Sequence, residues 1–154
     1  MSRVPLLDPA TGQIHDPLFG FHVSLPEGWL LVEDKISRVM AESPERSANG
    51  DRPEARLQVV ASRMEAPGLA EYVERSLKTY RKMWKLVQRH DEEGRVTLEL
   101  TQDIVHKMHL LKRFELHGDR VYVVTVSAMP SRFAQNRRRL EAILDSFKVE
   151  ARIS

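Results

Sequence analysis

Histidines are the residues of this sequence best suited to chemistry, and two of the six, His106 and His109, are three positions apart. His90 and His117 could supply further donors, since a catalytic zinc ion requires three converging protein ligands. The segment around the pair is predicted to be a strand, however, and residues i and i+3 of a strand point to opposite faces of its sheet. We therefore interpret these histidines as ordinary sheet residues and expect no metal site and no other cofactor.

The acidic residues of the chain do not indicate catalysis either. The acidic run at residues 91–93 precedes Gly94, and a solvated turn cannot hold two carboxyl groups at the fixed separation that acid–base catalysis requires. Phosphate-binding glycine loops, Gly-x-Ser-x-Gly and His-Glu-x-x-His are absent from the sequence. We expect no catalytic residues, and therefore a protein that is not an enzyme.

Basic residues concentrate in two segments, residues 75–89 and residues 137–139. A nucleic-acid-binding surface would combine such charge with exposed aromatic residues or a recognition motif, and neither accompanies these segments. The solvated face of a helix accounts for both, so we expect no nucleic-acid partner.

The composition indicates a single globular domain. The chain has 154 residues, of which 42% are hydrophobic and 30% charged, with a formal net charge of +2. It has no cysteine, which excludes disulfides, a thiolate nucleophile, iron–sulfur clusters and a lipid-anchoring cysteine. The first residues lack the apolar run of an export signal, and the most apolar stretch, residues 121–126, is far shorter than the roughly 20 residues that cross a bilayer. We therefore expect a cytoplasmic location and no direct membrane insertion.

The N-terminal region is rich in residues that interrupt regular structure. Three prolines and a glycine fall within residues 1–18, at Pro5, Pro9, Gly12 and Pro17. This density predicts an extended N-terminal arm over residues 1–18, followed by one domain over residues 19–150.

Hydrophobic periodicity predicts the elements of that domain. Spacings of three and four predict two helices, the first from Leu69 to near Lys85 and the second after Pro130 with Ser131 as its N-cap. Period-two alternation predicts strands over residues 21–25, 30–33, 38–41, 56–64, 86–91, 96–102, 105–116 and 120–129. Short turns between neighbouring strands imply antiparallel pairing. The fold class is therefore α+β, an antiparallel β-sheet of about six to seven strands flanked by two main α-helices.

The second face of this sheet is more apolar than a solvent-facing surface should be. Both alternating sets of side chains in the strand over residues 120–129 contain apolar residues, and the preceding strand repeats this. We predict a partner-binding patch there, with an apolar centre at Val60, Leu111, Val121, Val123 and Met129 and a border at Gln58, His109, Arg113 and Thr125. Alternatively, a helix or the N-terminal arm covers this face.

Three segments resemble a known superfamily. Residues 21–29 (Phe-His-Val-Ser-Leu-Pro-Glu-Gly-Trp), residues 69–73 (Leu-Ala-Glu-Tyr-Val) and residues 143–149 (Ile-Leu-Asp-Ser-Phe-Lys-Val) are similar to the PsbP-like superfamily, including its DcrB branch. The resemblance implies an antiparallel sheet flanked by helices and a non-catalytic binding protein. In size and compartment the chain also resembles the Eag adaptor chaperones of bacterial type VI secretion. That likeness implies a homodimer that shields the apolar N-terminal segment of a secreted effector on its sheet face.

These observations leave three hypotheses about function. The first is a cytoplasmic, dimeric, non-enzymatic adaptor or chaperone that binds an apolar segment of a protein partner, and it predicts that aspartate at Val123 and Leu111 abolishes binding without unfolding the chain. The second is a small-ligand- or metal-binding protein, or an enzyme, with a pocket lined by Trp29, Tyr72, Tyr80 and the histidines. The third is a general binding module that acts on a GTPase or another soluble protein.

Overall fold

A seven-stranded antiparallel sheet forms the centre of the structure, a computed structural model that describes residues 4–47, 50, 52–80, 83–102 and 107–150. The elements in chain order are β1 (Leu6–Asp8), β2 (Gln13–Asp16), β3 (Phe21–Ser24), β4 (Leu30–Leu31), β5 (Val39–Glu42), β6 (Ala55–Arg63), α1 (Leu69–Tyr80), β7 (Trp84–Glu92), β8 (Arg95–Gln102), β9 (Met108–His117), β10 (Arg120–Ala128), α2 (Pro130–Ser146) and β11 (Lys148–Val149). The predicted α+β class, with an antiparallel sheet between two helices, is confirmed.

The strands form two sheets rather than one. The large sheet has the order β4-β5-β6-β10-β9-β8-β7, so β4 and the nine-residue β7 are its two edges. The small sheet has the order β1-β2-β3-β11 and closes with the C-terminal strand beside β3. Both sheets are antiparallel throughout their described pairs. The stretch predicted as an N-terminal arm therefore contains two strands, β1 and β2, that pair into the domain.

Each face of the large sheet has its own hydrophobic core. The α2 face carries residues such as Val124 and Val126, which pack with Leu140 and Ile143 of α2 and with the small sheet. The α1 face carries a second cluster, in which Val73 of α1 is wholly buried. The sheet is buried from both sides over much of its area, which explains why both alternating sets of its side chains are apolar.

The first helix is shorter than its periodicity predicts. It ends at Tyr80, whereas the prediction extended it to near Lys85. From Trp84 onward the chain is a strand, because Trp84 pairs with Gln102 and Leu86 with Leu100 in β8. Trp84 fits both the helical spacing of α1 and the two-residue period of β7. Its pairing with Gln102 of β8 determines that it belongs to the strand.

The second helix begins two residues earlier than predicted. Pro130 occupies its first turn, and Met129 is the N-cap residue without a side-chain hydrogen bond. The predicted N-cap at Ser131 is wrong because proline already fixes the backbone angle of a first helical residue and needs no hydrogen-bond partner for its nitrogen.

A close backbone approach fixes the start of the small sheet. Gly12 has a φ of +75° and its carbonyl accepts a hydrogen bond from the Leu25 amide at 2.8 Å. A Cβ atom at this position would lie 2.5 Å from the Leu25 carbonyl oxygen. Only glycine fits here without moving the chain.

Within the described residues, neither helix is long and apolar enough to cross a membrane.

Candidate functional site

The strand register divides the predicted partner-binding patch between the two faces of the large sheet. Residues directly opposite in an antiparallel pair point to the same side, and Leu111 lies opposite Val126 whereas Val123 lies opposite Val60. The α1 face holds Gln58, Val60, Val121, Val123 and Thr125, and the α2 face holds His109, Leu111 and Arg113. Met129 follows β10 at the start of α2. The expectation that all nine residues share one surface is therefore wrong, because alternation within a strand does not say which of its two sets matches a given set of the neighbouring strand.

Three of the apolar residues of that patch are buried. The exposed fraction is 5% for Leu111, 0% for Val121 and 8% for Val123. Aspartate at Leu111 or Val123 would place an unpaired carboxylate in a packed core, which costs several kcal/mol. Those substitutions would unfold the chain and cannot serve as a selective test of binding.

Part of the α1 face lies beyond the helix that packs on it. Among the described residues, α1 lies over β8 and β9. Toward β5 and β6 the same face carries half-buried side chains, namely Met40, Gln58, Val60 and Thr125, which we call the open strip. Gln58 donates a hydrogen bond from Nε2 to Ser37 Oγ at 2.7 Å, so its amide is held across the strip.

A groove continues the open strip past the edge of the sheet. It has a volume of about 810 Å³ and lies between the N-terminal residues Val4 and Pro5 and the loop that joins β4 to β5. Met40 lines this groove as well as the open strip, and Ile36 in the loop is 80% exposed. Together the strip and the groove form a continuous surface of mixed apolar and hydrogen-bonding character.

Lys112 marks the inner border of the open strip. It lies on β9, opposite Thr125 of β10, and its ammonium nitrogen lies 5.9 Å from the centre of the Phe114 ring. Burial lowers the pKa of Lys112 below its ordinary value. The burial of Lys112 was not predicted from the sequence, because a lysine between Leu111 and Arg113 fits an exposed site equally well.

A polar cleft of about 200 Å³ lies on the α2 face, between α2 and strands β7 to β9. Its centre is the buried Glu99, which accepts a hydrogen bond from Arg137 Nη2 at 2.8 Å and lies 2.7 Å from His109 Nε2. The His109 ring stacks on Phe133 of α2 with centroids 3.6 Å apart. Nearby, Arg113 donates a hydrogen bond to the Leu144 carbonyl at 3.2 Å. These contacts fasten α2 to the sheet and pair the carboxylate of Glu99, so the cleft contains a partly buried ion-pair network.

The basic run at residues 137–139 belongs to the same pattern. Arg137 binds Glu99, and Arg139 forms an ion pair with Glu45 while its guanidinium lies 5.4 Å from the centre of the Trp29 ring. Two of the three arginines are therefore engaged by the domain's own side chains, which adds internal contacts to the solvated helix face predicted from the sequence.

The pH dependence of stability should report the Glu99 network. Burial alone would raise the pKa of Glu99, but hydrogen bonds from Arg137 and His109 outweigh it and hold this pKa below its ordinary value of 4.5. The charged form therefore stabilises the fold above that value, and the stabilisation is lost as the pH falls through the lower folded-state pKa. We expect Glu99→Gln to lower the free energy of unfolding by about 1.5–3 kcal/mol at pH 7, with the difference shrinking toward pH 3 in urea unfolding curves.

Glu141→Gln is the matched control for this prediction. Its carboxylate contacts the same Arg137 at 3.6 Å but is half exposed, so its removal should change stability little at any pH. Parallel pH profiles for wild type and Glu99→Gln would show that the network does not stabilise the fold through its charge.

The other histidines divide into residues beside a single carboxylate and one cluster. His90, which lines the cleft, is exposed and lies 3.9 Å from Glu92, and His117 pairs with Glu115, while His106 of the predicted metal pair lies outside the described residues. The cluster joins His15, His22 and Glu150 on the small sheet, with three possible ligand atoms within 4.8 Å of one another. The sequence prediction missed it because His15 falls in the stretch assigned to an extended arm. The spacing of the two histidines could have revealed the cluster, because His15 and His22 lie opposite each other on either side of the β2–β3 turn.

The pocket predicted for a small ligand does not form as expected. Trp29 is buried in the core of the α2 face, whereas Tyr72 packs edge-to-face on Phe114 on the α1 face. The two aromatic residues therefore lie on opposite sides of the sheet. The side chain of Tyr80 lies outside the described residues.

Comparison with known proteins places this architecture among solved structures. No protein-family model matches the sequence, and neither does the sequence of any curated protein. The solution structure of the cyanobacterial PsbP protein CyanoP from Synechocystis sp. PCC 6803 matches with a TM-score of 0.65 and 15% identity, over 97% of this chain and 95% of that one. The chain has a PsbP-like fold.

Two further structures share the PsbP-like fold. The Ran-binding protein Mog1p of Saccharomyces cerevisiae matches with a TM-score of 0.61 and 10% identity, over 90% of this chain and 95% of that one. A Pseudomonas aeruginosa protein of unknown function, PA94, described as a putative regulator, matches with a TM-score of 0.55 and 17% identity, over 82% of this chain and 99% of that one. At these identities the likeness establishes the fold, and function has to be argued from the surface of this chain.

Proposed function

We propose that this chain is a non-enzymatic protein-binding module that holds an apolar segment of a protein partner against the open strip and the adjoining groove. The observation that carries the proposal is the partial cover of the α1 face, since α1 packs over β8 and β9 while the strip of Met40, Gln58, Val60 and Thr125 stays half-exposed. The Ran-binding description of Mog1p supports protein binding as a use of this fold.

The side chains of the strip suit a segment that is mainly apolar and carries some polar groups at its border. Met40 and Val60 offer apolar contact, and the flexible methionine can adapt to side chains of different shape. Gln58 and Thr125 can bond to polar groups at the border of the occupant. The backbone groups of β10 pair with β6 on one side and β9 on the other, and β6 pairs with β5 over residues 56–59, so recognition along this part of the sheet uses side chains.

A narrower form of the proposal follows the resemblance stated above. In it the chain is a cytoplasmic adaptor or chaperone that acts as a homodimer and shields the N-terminal apolar segment of a secretion-system effector. The open strip and groove supply the surface such a role requires, and the size of the dimer can be read by light scattering in the binding experiment below.

Binding of a defined apolar peptide tests the proposal. The probe is a synthetic peptide of about 20 leucines and alanines flanked by lysines, supplied in nonionic detergent micelles. We expect the backbone amide signals of Gln58, Val60 and Thr125 to shift in NMR spectra as the peptide is added. Val60→Asp should weaken binding at least about tenfold, because a charge in the centre of the strip must be desolvated by the occupant.

Leu86→Asp is the matched control, because Leu86 is an exposed apolar residue of β7 at the far edge of the sheet. It should bind the peptide as the wild type does, and thermal unfolding of both variants checks that each is folded. Undiminished binding by folded Val60→Asp, or shifts confined to β7, would refute the open strip as the binding surface. Binding of folded soluble proteins but not of the peptide would favour a general binding module instead.

A further inference from the structure

We propose that His15, His22 and Glu150 bind a divalent transition-metal ion, with Zn²⁺ as the preferred occupant. The site lies on the small sheet, on the other side of the large sheet from the open strip, and does not depend on the proposed function. It would connect three chain segments, because His15 lies on β2, His22 on β3 and Glu150 directly after β11.

The β2–β3 hairpin brings the two imidazoles together. His15 lies directly opposite His22 in the register, and their rings are stacked with centroids 4.5 Å apart and an interplanar angle of 14°. Glu150 reaches the pair because its backbone amide donates a hydrogen bond to the Gly20 carbonyl at 2.7 Å, beyond the turn. Backbone pairing therefore positions all three side chains before any ion is bound.

Both imidazoles face the same carboxylate oxygen. The Nε2 atoms of His15 and His22 lie 2.8 Å and 2.6 Å from the same oxygen of Glu150, Oε1. The Nε2 atom of His15 is buried, and no hydrogen bond of acceptable geometry satisfies it among the described residues. A buried imidazole nitrogen that faces a carboxylate oxygen without a hydrogen bond of good geometry remains available as a metal ligand.

The cluster has the right donors for zinc, and its side chains must turn to hold the ion. Zinc binds imidazole nitrogen and carboxylate oxygen at about 2.0–2.2 Å, so tetrahedral ligands lie about 3.3 Å from one another, whereas the three ligand atoms here lie within 4.8 Å of one another. The nearly parallel imidazoles must tilt toward the ion and the carboxylate must move outward by about half an ångström, and all three side chains are partly exposed and have room to do so. Two histidines and one carboxylate are also a ligand set that leaves a fourth position open to water.

The charge near the cluster is compatible with a cation. Lys148 is the nearest basic residue in the cross-strand row, opposite His22, and its exposed side chain can turn into solvent. Glu150 supplies one negative charge at the centre. Imidazole ligands favour Zn²⁺, Ni²⁺ and Cu²⁺ over Mg²⁺ and Ca²⁺, which prefer sets of oxygen ligands.

Calorimetric titration of the chelator-treated full chain with ZnCl₂ at pH 7.5 tests the site. We expect one zinc ion per chain, and a loss of affinity of at least about 100-fold in His15→Ala and in His22→Ala. Glu150→Gln changes an exposed side chain that can be lost without unfolding, and it should also weaken binding. Added Zn²⁺ should raise the thermal midpoint of the wild type, whereas Mg²⁺ should not.

His90→Ala is the control, because His90 is exposed and lies beside a carboxylate without a second histidine. This variant and Val60→Asp should both bind zinc as the wild type does, which separates the metal site from the proposed binding surface. The proposal would be overturned if the wild type bound no stoichiometric zinc. It would also be overturned if the two single variants, Glu150→Gln and His15→Ala, were folded and both kept the wild-type affinity for zinc.

Discussion

Replacing Phe147 with alanine is expected to lower the free energy of unfolding by about 3–5 kcal/mol. Phe147 follows directly after α2 and is 1% exposed. Its ring contacts Phe21 of the small sheet at a centroid distance of 5.3 Å and Tyr122 of the large sheet at 5.8 Å. Because one side chain joins the helix end to both sheets, its removal leaves a cavity at the junction of three elements. Urea unfolding followed by circular dichroism measures the loss.

Phe147→Leu and Leu86→Ala are the controls for this substitution. Leucine keeps most of the apolar volume and should recover a large part of the lost stability, while truncation of the exposed Leu86 should cost far less. Equal losses for Phe147→Ala and Phe147→Leu would mean that the aromatic contacts, and not the filled volume, determine the stability at this junction.

Replacing Asp16 with alanine is expected to cost about 3–5 kcal/mol, because it removes a wholly buried carboxylate together with the several charge-assisted hydrogen bonds that this carboxylate accepts. The Asp16 carboxylate is 0% exposed and accepts hydrogen bonds from Arg38 Nε at 2.8 Å and from the Leu18 amide at 2.8 Å. It therefore closes the β2–β3 turn and ties it to the start of β5. Differential scanning calorimetry at pH 7 checks the expected fall in the thermal midpoint.

Two further variants make this prediction specific. Removal of both charges in Asp16→Ala/Arg38→Met should cost less than the sum of the two single substitutions, because each single substitution already removes the Asp16–Arg38 interaction. Asp34→Ala removes a carboxylate that caps the Ser37 amide in an exposed loop, and should shift the thermal midpoint much less. A strictly additive double variant would show that Asp16 stabilises the turn without the help of Arg38.

Local patterns were sufficient to predict most of the large sheet. The sequence pattern placed β8 and β10 within one residue of their bounds, because each strand follows a short turn that a glycine marks, at Gly94 and Gly118. The small sheet was missed in part, because β1 has three residues and β2 four, too few for a period to stand out against the prolines around them. The end of α1 depended on β8, which lies beyond any local window.

The candidate sites were predicted less well than the fold. Whether Leu111 shares a face with Val123 is decided by the β9–β10 register, and no pattern within either strand contains that information. The histidine cluster requires the pairing of β2 with β3 and of β3 with β11, so Glu150 enters the site from the opposite end of the sequence. Gln58, Val60 and Thr125 share a face because Thr125 lies opposite Gln58 and Val60 opposite Val123 in the β6–β10 register, and the strand patterns did not determine that match either.

The outer edge of β7 limits how copies of this chain can assemble. A sheet grows by adding a strand at its edge, and the later half of β7 places Arg89, Asp91 and Glu92 along that edge, with Arg89 and Asp91 already bonded to each other. The exposed Leu86 and Val87 fall where the pairing with β8 shifts register, so they do not present a regular ladder. An incoming strand would have to dehydrate the charges and match the irregularity. Concentrated solutions should therefore resist ribbon-like polymerisation, and the proposed homodimer must use a different surface.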